Sequence, residues 1–372
     1  MFENYEAPSD LRPSDPRFGC GPSLVPVSFL KSLADTGVEL MGTSHRKPAV
    51  KNLVKDVQEG LRSYFNLNAD ATVAMGNGGA TLLFDMMGLG MVDKSSAHFT
   101  CGEFSQKWFK SHNSIPWIEA SEHAVEYGKG VTPTNIDSVD FIAATLNETS
   151  TGVMIDSLPK VGENTILAID ATSGGAQCPC DVNQTDAYFF SPQKVFASDG
   201  GLFVSILSPK ARERALKIAS DKSRYIPGIM DWKTCIDNSD KNQTYNTPAI
   251  ATLWMLNEQI KLMNKVGYQA VQDNGKAKAD HVYGWANEKS YLSCFIEEAQ
   301  YRSTAVATIN VDEKFNASDL CKRLHELGFV YGIESYRKLG KNQFRIALFY
   351  NITLEDIQKL TSLISHAIES EL

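Results

Sequence analysis

The sequence predicts an α/β protein: a large unit with a mainly parallel sheet flanked by helices, then a smaller C-terminal α/β unit. Three observations lead there. Between about residues 40 and 265, short apolar runs of strand length alternate with stretches that suit helices or long crossovers. The composition is that of a globular protein with a real core, since 43% of the 372 residues are hydrophobic and 22% are charged. Beyond a long helical stretch at 249–264 the pattern changes to a strand, a helix, a strand and a helix.

Taken in order, Pro8, Pro13, Pro16, Pro22 and Pro26 break up the start of the chain, so residues 1–25 read as an extended arm. Strands are expected at 71–75, 96–101, 140–145, 165–169, 187–190 and 202–207. The small unit should contain a strand at 303–311, a helix at 317–327 and a strand at 343–350. Thr353 is placed to cap a last helix whose apolar residues Ile357, Leu360, Ile364 and Ile368 recur at helical spacing. The expected division is therefore 26–265 for the large domain and 266–372 for the small one, with the arm packing near the active site.

The net charge of −8 argues against a nucleic-acid partner. The longest apolar runs, such as Met86 to Val92, are too short to span a bilayer. The N-terminus has no basic flank and no apolar core of a secretion signal, and the seven scattered cysteines suit a reducing compartment, so a cytoplasmic location is expected. Cys178-Pro179-Cys180 has no second pair to complete a metal site, and no metal is expected.

Polar and glycine-rich residues gather just after the expected strands, where ligands bind in open α/β sheets. After the first comes Gly76-Asn77-Gly78-Gly79-Ala80-Thr81, an anion cradle at a helix N-terminus that matches neither G-x-x-x-x-G-K-[ST] nor G-x-G-x-x-G. After the next two come Phe104, an aromatic face for a flat ring, and Thr149, a hydroxyl donor. Asp170 and Lys194 end the following pair. Most strand-end lysines are simply solvated. This one stands in an ordered set of anion cradle, aromatic, hydroxyl, acid and amine, and that set fits pyridoxal 5′-phosphate. His45-Arg46, Tyr336-Arg337-Lys338 and Arg345 read as anion handling. The loop 242–248 reads by composition as a turn.

With Gly42-Thr43-Ser44-His45-Arg46, Asn147-Glu148-Thr149-Ser150-Thr151-Gly152, Ile169-Asp170-Ala171-Thr172-Ser173, Pro192-Gln193-Lys194 and Tyr336-Arg337-Lys338-Leu339-Gly340 in this order, the chain resembles the phosphoserine aminotransferase family, in its actinobacterial form. The resemblance covers essentially the whole chain. It implies the aspartate-aminotransferase-like fold type I and a homodimer with composite active sites. It implies Lys194 as the Schiff-base lysine, Asp170 on the pyridine nitrogen, Phe104 on the ring face and Thr149 on the ring hydroxyl. Ala80, Thr81 and Gln193 would bind the cofactor phosphate, and Asn246 and Thr247 would reach that of the neighbouring subunit. His45, Arg46 and Arg337 would bind the anionic ends of the substrates, with Arg337 on the α-carboxylate or, the two arginine roles being exchangeable, Arg46 there. The substrates implied are L-glutamate and 3-phosphohydroxypyruvate, and the phosphorylated four-carbon substrate of pyridoxine biosynthesis is a further one. Two positions depart from the usual pattern: Cys20 stands where many relatives have Ser, and Tyr336 where many have His.

Overall fold

The computed structural model describes residues 2–372, residues 37 and 38 in their backbone only. Met1, the first residue of the expected arm, lies outside the described residues. The elements in order are α1 (Val27–Leu40), α2 (Pro48–Tyr64), β1 (Thr72–Gly78), α3 (Ala80–Met91), β2 (Ser95–Thr100), α4 (Glu103–Asn113), β3 (Glu119–Ala124), β4 (Phe141–Thr145) and the short hairpin β5 (Asn147–Glu148) and β6 (Val153–Met154). Then come β7 (Ile166–Asp170), β8 (Ala187–Phe190), β9 (Gly201–Leu207), α5 (Pro209–Ala219), α6 (Trp232–Ser239), α7 (Ile250–Val266) and α8 (Tyr268–Glu288). The C-terminal part has β10 (Leu292–Cys294), β11 (Val306–Val311), α9 (Ala317–Glu326), β12 (Gln343–Ala347) and α10 (Leu354–Glu369).

The main sheet has the order β1-β9-β8-β7-β4-β2-β3, and β9 alone runs antiparallel to its neighbours. β4, β7 and β8 are buried along their whole length, as parallel strands covered on both faces must be. Successive side chains go to opposite faces. Ile166 and Ala168 enter a cluster with α3 to α6, while Leu167 and Ile169 enter a second cluster with α2 and α7. That second cluster continues without a break into the antiparallel β10-β11-β12 sheet, α8 and α10. The C-terminal sheet thus shares its core with the main one.

Each expected strand forms, 187–190 with the same bounds and the others with shifted ends. β1 runs past 75 because Gly76 and Gly78 still pair with Phe203 and Gly201 on β9. β11 starts later than 303 because Ser303 Oγ accepts from the amides of Ala305 and Val306, making a turn there. Thr353 caps α10 as expected, its hydroxyl accepting from Asp356 N at 3.0 Å. The sequence reading did not name β3, an edge strand carrying Glu119, Glu122 and His123, nor α8, the longest helix among the described residues.

The arm is extended and anchored along the C-terminal part. Tyr5 OH bonds His366 Nδ1 at 3.0 Å, Ser14 donates to Asp356, and Phe18 bonds Tyr331 and Ala347 through its backbone. It then crosses to the main sheet, where its last residues meet the loop after β8.

Candidate active site

β7 and β8 are parallel neighbours with Asp170 opposite Phe189, so Asp170 and the loop carrying Lys194 open at the same sheet edge. Asp170 is 3% exposed, and its Oδ1 accepts from Thr172 N at 2.9 Å. Burial raises its pKa to about 6, against the pull of the Thr172 amide and of Lys194. Lys194 Nζ donates to the carbonyl of Cys20 at 2.6 Å. Burial lowers its pKa to about 8, Arg345 adding to that shift and Asp170 opposing it.

The arm sets the position of this lysine. Ser23 Oγ donates to Lys194 O at 2.6 Å and Ser23 N to Gln193 O at 2.8 Å. Gly21, at φ +141°, lies so close to the amine that a Cβ there would overlap Lys194 Nζ. Glycine meets both demands at once: the left-handed backbone and the absent side chain.

Phe104 stands in the first turn of α4, which is fixed by a buried acid. Glu148 accepts from Phe104 N, from Ser105 N and Oγ, and from Ser150 N and Oγ. A carboxylate at a helix N-terminus satisfies amides that have no partner within the helix and complements the helix dipole. The Phe104 ring meets Tyr336 edge-on at 5.7 Å, and the Arg345 guanidinium lies over the Tyr336 ring at 5.2 Å. Arg345 Nη1 also donates to Thr149 O at 3.0 Å, while its Nε is buried without a partner among the described residues.

At the N-terminus of α3, Ala80 N donates to Ser191 Oγ at 2.7 Å and Thr81 Oγ1 accepts from Lys107 Nζ at 2.9 Å. The buried Thr172 Oγ1 and Gln193 Oε1 have no partner among the described residues.

The remaining predicted residues form a second group. His45 Nδ1 and Thr247 Oγ1 are 3.1 Å apart, and Arg46 donates to Asn238, Gln243 and the carbonyl of Tyr245. Burial and the charge of Arg46 lower the pKa of His45, which favours its neutral form. Asn77, just before the α3 cradle, donates to Thr247 O at 2.6 Å. The turn expected at 242–248 is therefore bonded both to the His45-Arg46 segment and to the end of β1.

Arg337 is exposed and begins a short 3₁₀ turn (Arg337–Leu339), and the arginine whose charge acts on Lys194 is Arg345. Sequence reasoning had grouped Arg345 with the anion handlers and given it no role. Its signal was a charge between Phe344 and Ile346 in an apolar strand. Glu148, Ser23 and the Cys20 carbonyl were missed, because their partners are far away in the chain. A cavity of about 560 Å³ between α8 and α10 contains none of these residues. The site is located by chemistry and not by volume.

Comparison with known proteins agrees with this geometry. The model of the aminotransferase class-V family matches residues 129–360. A phosphoserine aminotransferase of Corynebacterium glutamicum (strain R) is 42% identical, over 97% of this chain and 96% of that protein. One from a Nocardioides species is 40% identical over 99% of this chain and all of that protein. Among solved structures, a phosphoserine aminotransferase from Cytophaga hutchinsonii superposes with a TM-score of 0.85 at 22% identity, covering 95% of this chain and 99% of that one. An alanine–glyoxylate aminotransferase from a Nostoc species gives 0.80 at 16% identity, covering 99% of this chain and 97% of that one. These likenesses give the fold, the fold type I expected from the sequence. By its family match and its full-length relatives, the chain belongs to the class-V aminotransferases, in the phosphoserine aminotransferase family.

Proposed function

We propose that this chain is a pyridoxal 5′-phosphate-dependent transaminase that moves the amino group reversibly between L-glutamate and 3-phosphohydroxypyruvate, giving O-phospho-L-serine and 2-oxoglutarate. The observation that carries this reading is the pairing of a buried carboxyl of raised pKa with a lysine of lowered pKa at neighbouring strand ends. The residues fit the cofactor. Asp170 would pair with its ring nitrogen, Phe104 face its ring, and Thr149 meet its hydroxyl. The orphan Gln193 Oε1 and Thr172 Oγ1 lie on the same two loops and await polar partners. Ala80, Thr81 and Gln193, with Asn246 and Thr247, would hold its phosphate. Bound pyridoxal phosphate supplies the electron sink that makes an amino acid's Cα proton removable.

The chain's own residues do the rest. With a pKa near 8, Lys194 has a neutral fraction at neutral pH and is suited to move the proton at the substrate's Cα. Arg337 would meet the α-carboxylate, together with Arg345, whose charge acts on Lys194. Arg46 and His45 would take the distal anion, a γ-carboxylate in one substrate and a phosphate in the other.

We further infer a homodimer. His45 bonds Thr247, so a loop 242–248 that serves the neighbouring subunit takes the His45-Arg46 pair with it. Val27, Leu30, Met41, Tyr225, Ile229 and Tyr245 are exposed apolar side chains, and Tyr245 belongs to this same group. A cytoplasmic location fits the seven free cysteines. No helix among the described residues is long and apolar enough to cross a membrane.

The test is a comparison of phosphoserine, serine and alanine as donors to 2-oxoglutarate, with Lys194→Ala as the blank. Phosphoserine alone should support rapid turnover. Equal rates with serine or alanine would show that no phosphate-selective pocket exists. The phosphorylated four-carbon amino acid, 4-phosphohydroxy-L-threonine, belongs in the same comparison.

A further inference from the structure

The phosphate of pyridoxal phosphate is close to a dianion at neutral pH, with a charge of roughly −1.5 to −2. Taking such a charge out of water is costly unless a cation or several donors meet it. The residues assigned to that phosphate, Ala80, Thr81, Gln193, Asn246 and Thr247, carry no charge. The α3 N-terminus adds a partial positive charge at most, and its first amide is already bonded to Ser191 Oγ. The neighbouring α4 has given its N-terminal amides to Glu148. The cradle as assigned is short of a full positive charge.

Two helices running side by side supply it. Lys107 meets Thr81, Trp108 stacks on Phe84 at 5.3 Å, and Ser111 Oγ donates to Asp85 at 2.6 Å. The contacts ascend both helices in the same sense, so α3 and α4 are parallel and begin at the same sheet edge. Lys107 is one turn into α4, exposed, and forms no ion pair among the described residues. Its ammonium is held by Thr81 Oγ1 at 2.9 Å.

We propose that Lys107 is the charge partner of the cofactor's phosphate, reaching across from α4 to the cradle at the start of α3. The inference rests on the reading that this site takes pyridoxal phosphate, and it assigns a binding role to a residue outside the cradle's own loop. Thr81 would then act twice, as a donor to the phosphate and as the acceptor that holds the lysine.

The test is cofactor binding, not turnover. Apoprotein is titrated with pyridoxal 5′-phosphate, with pyridoxal, and with inorganic phosphate as competitor, for the natural chain, Lys107→Met and Lys107→Arg. A charge-assisted contact implies that Lys107→Met binds pyridoxal phosphate about ten- to a hundred-fold more weakly. Its affinity for pyridoxal, which has no phosphate, should be unchanged. Lys107→Arg should recover most of the loss, and inorganic phosphate should compete less well against Lys107→Met. Near-ultraviolet circular dichroism checks that the variants are folded. Unchanged affinity for pyridoxal phosphate in Lys107→Met overturns the proposal. So does an equal loss for both ligands, which would mean a structural role. If the natural chain takes up neither ligand, the pyridoxal reading itself falls and this inference with it.

Discussion

An amine with a pKa near 8 lies between two demands: neutral enough to react, charged enough to be held by a carbonyl. The Cys20 carbonyl and Asp170 favour the charged form, while burial and Arg345 favour the neutral one. This balance is measurable before any turnover. The rate at which apoprotein captures pyridoxal phosphate should rise with pH through about 8, as the amine loses its proton. In Arg345→Gln the lysine loses a neighbouring positive charge, its pKa rises, and the curve moves to higher pH. Capture at pH 7 should slow by roughly 3- to 10-fold. A curve that stays in place would remove Arg345 from the lysine's surroundings. At this scale the sequence showed Lys194 and Asp170 plainly, since both follow apolar strands. Arg345 was visible only as a charge within a strand. Gly21 and Ser23 carried no signal, because their importance comes from a lysine more than 170 positions away in the chain.

Among the elements, α4 depends on Glu148. This acid is 0% exposed and gathers donors from two segments, so it stiffens the turn that presents Phe104. Glu148→Gln keeps the size but turns one oxygen into a donor facing donors. It should cost about 1–3 kcal/mol of stability, read as a lower urea midpoint. With Phe104 placed on the cofactor ring as proposed, binding of pyridoxal phosphate should weaken as well. A variant as stable as the parent would show that other groups satisfy the α4 amides. Legibility varied with burial. β4, β7 and β8 are buried throughout and were found to within one residue at each end. β3 was not, since an edge strand with one half-exposed face and Glu119, Glu122 and His123 reads as loop. α8 was passed over although it buries Val271, Val282 and Trp285, because Gly275 and Gly284 interrupt its pattern. Gly275 is explained by the fold: a Cβ there would meet the Gln177 side chain at 2.6 Å.

For the whole molecule, two properties follow from distant parts acting together. The first is acid lability. His98 and His112 are 1% and 0% exposed and face each other at 4.6 Å between ring centres. Trp108 Nε1 can only donate, so His112 Nε2 accepts and stays unprotonated. Burial holds His98 well below its usual pKa and pushes His112 down to about 3. Above the unfolded value of about 6.5 neither state takes up the protons, and the pair costs nothing. As pH falls below it, the unfolded chain binds protons that the folded one refuses. Stability is then lost, at up to about 1.4 kcal/mol per pH unit for each histidine. The thermal midpoint should drop steadily from pH 6.5 toward 4, and His98→Phe should flatten the slope. An unchanged slope would mean that acid unfolding is governed by carboxylates elsewhere. The second property is the shared site proposed above. Mixing inactive Lys194→Ala with inactive Asn246→Ala/Thr247→Ala should restore part of the activity, since a mixed dimer holds one site with both halves intact. No recovery despite demonstrated exchange of subunits would assign the 242–248 loop to its own chain.

The arm joins these scales. Between Tyr5 and Phe18 it is fastened to the C-terminal part, and at Cys20 and Ser23 to Lys194, with few residues of slack between. It behaves as a tether under load: any rocking of the β10-β11-β12 sheet pulls directly on the carbonyl that steadies the amine. A protease nick between residues 5 and 16 would spare this link, because Phe18 stays bonded to Tyr331 and Ala347. The enzyme's centre is thus steadied by the last few residues of the arm and not by its outer end.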